Sequence, residues 1–533
     1  MTAISRWRQG NRPRSPRKIA RIALGAAICL GFMAASIVSS AAANAAQIVT
    51  TAATGHTYYV NCASGNDAGG GTTPGTAWHT LAHLNSITFQ PGDSILLARR
   101  VTCDGVLQPR GSGTTGAPIT VGAYGSGALP TIDGGGAPAA VLLENVQDWD
   151  LQQLNITDPG TADGTPRIGI YVLLTDYGVG HHYVIRDVNI NDVPGCDCTF
   201  ADPDGSVGSG GIVFRAAGSE VPTGFDGIQV SGNTISGVDG FGIATSSAWS
   251  YRSQFNFDQT PFVPMSKVRI IGNSLSNLGG NGIMVENGVN PLIAHNHVAG
   301  FARRADIASA GIYPLNSDSP VIQSNEVSGA SEWALALDDD AGNSNALFQY
   351  NYSHDNIGGF MLFCAIAGSE SNGAIVRYNI SQNDMNSPLG STVINNACPD
   401  PETNVKFYNN VVYTSAPALI SNYGTASIKY SNNVFYGAPG GSTIQDSYGI
   451  FSHNLYYRIT SVPSGDGNAV TADPRFADPG SGPGGYALEC GSPAIDAGIA
   501  IPGNGGRDFY GWPVPAGGPP DVGAYQGPCP QAG

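Results

Sequence analysis

Residues 319–364 read SPVIQSNEVSGASEWALALDDDAGNSNALFQYNYSHDNIGGFMLFC, and two copies of one short pattern, VIQSN and LFQYN, stand 26 residues apart within them. Between the copies lies the acidic run Asp338, Asp339, Asp340, and His354 and Asp355 follow just after. The pattern extends in both directions. Anchored on asparagine it falls at Asn233, Asn273, Asn296, Asn325, Asn351, Asn379, Asn410, Asn433 and Asn454, with Gln153 and Asp187 as earlier variants and spacings from 21 to 46 residues. Three residues before each asparagine sits an apolar residue: Val230, Ile270, Ile293, Ile322, Phe348, Val376, Phe407, Tyr430 and Phe451. A strand that buries this position and then turns at asparagine is the unit of a solenoid. Asparagine suits the corner because it tolerates left-handed backbone angles and its amide can bond the backbone or the equivalent amide of the next coil.

Composition agrees with a turn-rich β chain. Glycine (73) and proline (35) are abundant in 533 residues and charged residues make up only 12%, which argues against long helices. A hydrophobic fraction of 41% is enough to fill a core. Thr76 to Ile87 reads as a short amphipathic helix in an N-terminal cap. The expected organisation is a signal over 1–45, a cap with first coils over 46–132, the coiled solenoid over 133–460, and a C-terminal coil and cap segment over 461–533.

Residues 1–21 hold seven of the 24 Lys and Arg and no acid, an apolar run follows from Ile22, and Ala43-Asn44-Ala45 supplies a cleavage triplet. This is the pattern of a secretory signal, with an uncleaved anchor as the alternative. Its removal leaves seventeen basic residues against 40 acidic ones, a formal charge of −23, which excludes nucleic acid as a partner and disfavours an unassisted polyanion. A monomer, free of the membrane once the signal is cut, is expected. Eight of nine cysteines remain after the signal, an even number that in an exported chain points to disulfides. Neighbours in sequence pair Cys62 with Cys103, Cys364 with Cys398, and Cys490 with Cys529. Cys196 and Cys198 stand in a Cys-Asp-Cys triplet with no His/Cys set nearby to complete a zinc site.

A second strand follows each corner. Aligned on its leading small residue, it reads Gly242–Ser246, Gly282–Glu286, Gly311–Leu315, Ala334–Asp338 and Gly359–Phe363. Alternation then puts Met284 and Glu286, Tyr313 and Leu315, Ala336 and Asp338, and Met361 and Phe363 on the outer face. In that register Glu286 and Asp338 share a column two coils apart, with Cα atoms roughly 10 Å from each other.

The opening YYVNCASGND, PGDSILL and APITVGAYGSGALPTIDG, the coil repeat, and the closing DPRF, GSPAIDAG and DVGAYQ resemble secreted right-handed parallel β-helix proteins of the pectate-lyase-like superfamily. The likeness covers nearly the whole mature chain and implies an all-β, right-handed parallel β-helix. The superfamily includes polysaccharide lyases, glycoside hydrolases and proteins without a known reaction. NEVSG, ALDDDAGN, FQYNYSHDNIGGFML and VRYNISQND are similar to bacterial members associated with glycan degradation.

Glycosidic hydrolysis uses two carboxyl groups, one as acid and the other as base or nucleophile. The candidates are Asp338, Asp339 and Asp340 paired with Glu286 or Asp355, with His354 as an alternative general acid. Mutual repulsion among the three consecutive acids would raise one pKa into the range of an acid catalyst. Tyr313 and Trp333 beside them suit a sugar-binding groove, and Arg303, Arg304 and Asp384 are counted as further substrate contacts. The competing readings are acids that keep the solenoid soluble, a Ca²⁺ site at Asp338 to Asp340, a metal-assisted polysaccharide lyase, and a non-catalytic glycan-binding surface protein. The lyase reading is weakened by Arg269, Arg377, Lys406 and Lys429, which lie on the strand before the corner while the acids lie on the strand after it.

Overall fold

The computed structural model describes residues 55–529 apart from 161–163, 197–207, 257–259, 306–308, 332–333, 366–367, 389, 397, 399, 401 and 423–426. The proposed signal over 1–45 lies outside them. The chain winds as a right-handed parallel β-helix. Sheet I has fifteen strands running from Thr57–Val60 to Ile450–Ser452. Sheet II has thirteen, from Thr102–Asp104 to Leu455–Tyr457, and sheet III eleven, from Ala139–Glu144 to Thr443–Gln445. One coil shows the path: Val321–Gln323 in sheet I, a corner at Asn325, Glu326–Ser328 in sheet II, Ala334–Asp339 in sheet III, and Leu347–Gln349 back in sheet I. The helix expected over 76–87 is reduced to the five residues Leu81–Asn85, begun by the Thr80 hydroxyl accepting from the His83 N–H at 3.0 Å.

The interior follows from the repeat. In sheet I the residues three before the asparagines stack in register from Val230 through Ile270, Ile293, Ile322, Phe348, Val376, Phe407 and Tyr430 to Phe451, all buried. Sheet III adds an inner column of Ile243, Ile283, Ile312, Leu337, Met361, Ile394, Ile420 and Ile444. Each such side chain withdrawn from water contributes about 2 kcal/mol.

The asparagines form a continuous ladder. Each Oδ1 accepts both the backbone N–H and the Nδ2 of the asparagine one coil earlier, as Asn351 does from Asn325 at 3.0 Å each. Each Nδ2 also reaches back to a carbonyl of the coil before, Asn351 to Ile322 at 2.9 Å. The run extends from Asn233 to Asn454 and ends on Asp466, whose carboxylate takes the Asn454 N–H at 3.0 Å and its Nδ2 at 2.9 Å. The left-handed position is not the asparagine but the residue before it: His295, Ser324, Tyr350, Tyr378, Asn409, Asn432 and His453 have φ between 50° and 59°. Gln153 and Asp187 take that same left-handed position. In their coils Leu154 and Val188 therefore stand where later coils have asparagine, and the Val188 N–H feeds the Asn233 Oδ1 at 3.0 Å.

All three pairings read from sequence neighbours are present, Cys62–Cys103, Cys364–Cys398 and Cys490–Cys529. Cys198 lies outside the described residues. The C-terminal residues run back along the coils: Gln382 accepts from Gly482 and Tyr486, Arg377 donates to Gly503, and Asn409 to Asp521 and Gly523. Their apolar residues Phe476, Tyr486, Val522 and Tyr525 cluster with the outer side chains Tyr413, Tyr436 and Tyr457 of sheet II. This strap covers the outside of sheets I and II in the later coils.

Candidate active site

The acidic run terminates the sheet III strand Ala334–Asp339. Leu337 pairs with Ile312 on one side and with Met361 on the other, so Asp338 lies beside Leu362 and Asp339 beside Phe363. This register corrects the alignment on leading small residues. Gly311 faces Ala336, where an added Cβ would stand 2.6 Å from the Ala336 carbonyl oxygen, so Ala336 and not Ala334 holds the position of the glycine. The coil offers two small residues two positions apart, and the sequence pattern does not choose between them. Asp338 thus belongs to the outer column of Ala244, Met284 and Tyr313, while Glu286 pairs with Leu315 and lies in the column two residues on. Glu286 and Asp338 do not share a column. Met361 and Phe363, placed outside by the sequence alignment, face the core.

Asp338 is 7% exposed and its Oδ1 has no hydrogen-bond partner. Asp339 alternates inward at the mouth of the coil, 1% exposed, and accepts from the Asn343 Nδ2 at 3.0 Å. Asp340 begins the turn, half-buried, with its Oδ1 accepting from the Ala341 N–H at 2.7 Å. A fourth carboxyl joins them. Glu402, in the short ribbon that pairs Ser371–Asn372 with Glu402–Thr403, is 1% exposed, and neither of its oxygens has a partner. The Cys364 N–H that faces it donates instead to the Asp339 carbonyl at 3.1 Å.

Burial pushes all four groups up, and neighbouring carboxylates add to it at Asp338, Asp339 and Glu402. Asp340 is raised to about 6 and Asp339 to about 7, and Asp338 and Glu402 are held well above the ordinary carboxylate range. Like charges that act on one another disfavour full ionisation of the set, and such carboxyls titrate together and not residue by residue. A carboxyl kept protonated beside one that ionises is what acid and base steps on one bond require.

Tyr313 lies on the outer column next to Asp338, 6% exposed, in an apolar cluster with Met284, Leu315, Ala341 and Phe255. Phe255 comes from a long loop that leaves sheet III after Ser247. Arg252 anchors the loop, hydrogen-bonding Asn316 and Gly342 and pairing with Asp318 at 2.8 Å. Trp333 lies outside the described residues.

Other sequence candidates stand elsewhere. His354 ends a sheet II strand and Asp355 follows it, at the corner that enters sheet III, whereas Asp338 to Asp340 lie where the chain leaves it. His354 bonds Asp355 at 2.8 Å and Glu326 at 3.2 Å. Arg303 and Arg304 occupy the same entering corner, and Arg304 is committed to Asp239 and Asn277. Asp384 is fully buried and accepts from the Ser353 and Ser381 hydroxyls at 2.6 Å each and from Asn356, a structural knot and not a substrate contact. Arg377 does face outward on sheet I, but it is bonded to Gln349 and Tyr408 under the C-terminal strap. Among the described residues, no group of three or more His, Cys, Asp or Glu is arranged to hold a metal ion.

No protein-family model matches the chain. The chain is 25% identical to a lacto-N-biosidase of Bifidobacterium longum subsp. longum over 85% of its own length, and it spans about a third (34%) of that curated relative. Among solved structures it resembles a GH136 lacto-N-biosidase from Eubacterium ramulus, with a TM-score of 0.57 at 23% identity over 75% of this chain and 67% of that one. It also resembles XylC in complex with xylose, with a TM-score of 0.52 at 13% identity over 88% and 98% of the two chains. These structural likenesses bear out the parallel β-helix.

Proposed function

We propose that the protein is a secreted glycoside hydrolase that cleaves an oligosaccharide or polysaccharide with the carboxyl groups of Asp338, Asp339 and Asp340 at the exit of sheet III. The observation that carries the reading is the cluster itself: carboxyls with raised pKa values, with Asp338 Oδ1 and both oxygens of the adjoining Glu402 buried without a hydrogen bond, beside an outward tyrosine. Asp338 and Asp340 face outward and are assigned the acid and base work, while Asp339 points into the coil and supports them. Similarity to lacto-N-biosidases favours hydrolysis over elimination, and their substrates are the first oligosaccharides to try. Arg377 and Arg304, two of the cations weighed for a lyase, are tied down elsewhere.

Export is supported by the basic and apolar N-terminal pattern and by the disulfides Cys62–Cys103, Cys364–Cys398 and Cys490–Cys529, bonds that persist in oxidising compartments. Among the described residues no helix is long and apolar enough to cross a membrane. A monomer is part of the reading; residues 459–470 cover part of the edge of the last coil through the Ser442–Ile459 and Leu455–Val470 bridges. The test is turnover on a glycan panel that includes oligosaccharides processed by lacto-N-biosidases. New reducing ends without the absorbance of an unsaturated uronate are expected. That absorbance, or binding without turnover, would overturn the reading.

A further inference from the structure

The corner between sheet III and sheet I carries a second ladder. Val289, Asp318, Ser344 and Asn372 pair in succession, and Asn372 pairs with Thr403, so the residues before them, Gly288, Ser317, Asn343, Ser371 and Glu402, occupy one position in five successive coils. At each of the first steps the side-chain oxygen takes the backbone N–H of the preceding coil: Ser317 Oγ from Gly288 at 2.9 Å, Asn343 Oδ1 from Ser317 at 2.9 Å, and Ser371 Oγ from Asn343 at 3.3 Å. The fifth coil breaks the rule. Glu402 makes no such bond, and its two oxygens are buried without partners.

A serine or asparagine would satisfy this position at no electrostatic cost. A carboxyl there is costly unless it is neutralised. The rungs before it touch the acidic run, Asn343 Nδ2 donating to the Asp339 carboxylate at 3.0 Å and Ser371 Oγ to the Asp340 carbonyl at 3.0 Å, and the charges that act on Glu402 are those of Asp339, Asp338 and Asp340. The nearest cation on the overlying loop, Arg252, is occupied by Asp318, Asn316 and Gly342, and Asp400 on Glu402's own ribbon binds the Gly368 N–H at 2.9 Å. The only relief left to the Glu402 carboxyl, among these groups, is a proton shared with the three aspartates. The ribbon is held in place by the Cys364–Cys398 disulfide and by pairing of Ala365 with Asp400.

We propose that Glu402 is a positioning residue that acts through the Asp338 to Asp340 carboxyls, sharing their protons so that one of them remains protonated while another ionises. The proposal rests on those aspartates being the working carboxyls. It is tested with Glu402→Ser, which installs the ladder residue found at 317 and 371, and with Glu402→Gln. Two readouts are needed: the pH dependence of kcat/KM on a turned-over glycan, and an infrared titration of the protonated-carboxyl C=O band, which requires no substrate.

Removing one like charge lowers the pKa of the rest. The alkaline limb of kcat/KM is therefore expected to move to lower pH by about one unit in both variants. The infrared band should titrate away at correspondingly lower pH, while the melting temperature of the serine variant holds or rises. An infrared titration that is unchanged beyond the loss of a single independent carboxyl overturns the proposal, whatever the activity. A shifted titration in a protein that hydrolyses no glycan would uphold the proton sharing and refute the catalytic reading instead.

Discussion

Asn351→Ala should cost the fold about 5 kcal/mol, and the sum can be worked bond by bond. The Asn351 side chain receives the Asn325 N–H and Nδ2 and gives its own Nδ2 to the Ile322 carbonyl and the Asn379 Oδ1. On truncation, the Asn379 Oδ1 still holds the Asn351 N–H at 2.9 Å, and the Asn325 Nδ2 still holds the Ile293 carbonyl at 3.0 Å. The Asn325 N–H alone is left fully without a partner, in a site where Asn325 and Asn351 are no more than 2% exposed. One orphaned buried N–H costs about 1–3 kcal/mol, and the remaining lost bonds add about 1 kcal/mol for each pair broken. Urea unfolding followed by circular dichroism, with disulfides intact, measures the loss, and an unchanged slope would show that the transition is still comparable. A loss below about 1 kcal/mol would mean that the ladder is decoration on strands held by their core, and the account of what sets the corner would be wrong.

The other stability predictions concern charge and covalent ties. Burial lifts Asp384 to about 6, above its usual value, so the folded state holds a proton that the unfolded chain has released. Its contribution is present below the unfolded pKa near 4 and lost as pH rises through the folded pKa near 6; Asp384→Asn should remove about 3 kcal/mol of that decline, visible as a flatter melting temperature between pH 4 and 7. A variant whose pH profile parallels the parent would refute it. Cys364→Ser with Cys398→Ser opens a loop closed over a sequence separation of 34 residues. A loss of about 3–4 kcal/mol is expected by the chain-entropy argument, with activity falling further than stability because the Glu402 ribbon is freed. Equal activity in the reduced and oxidised folds would argue against that tie.

What could be read from the sequence was whatever repeats. The asparagine spacing, with an apolar residue three positions earlier, located the sheet I column from Val230 to Phe451 and its corners, because burial and the side-chain ladder recur in each of those coils, while the left-handed residue lies one position earlier and Gln153 and Asp187 were one residue out of register. Register in sheet III did not follow, since Ala334 and Ala336 are equally small and only the facing backbone at Gly311 decides between them. That two-residue shift separated Glu286 from Asp338. His354 and Asp384 mark the corner on the far side of the strand, a distinction that residue type does not carry. Glu402 sits in a loop rich in proline and acid with no periodicity of its own; its only signals were a spacing of 31 residues from Ser371 and a cysteine four residues before it.

The central claim is that Asp338 and Asp340 carry hydrolysis. Its direct test is the steady-state rate of Asp338→Asn and Asp340→Asn on a glycan the parent cleaves, with Asp355→Asn as control and melting temperatures confirming the fold. The account predicts kcat/KM down by roughly 100-fold or more in each of the first two and preserved in the control. Parental turnover in both Asp338→Asn and Asp340→Asn would contradict it.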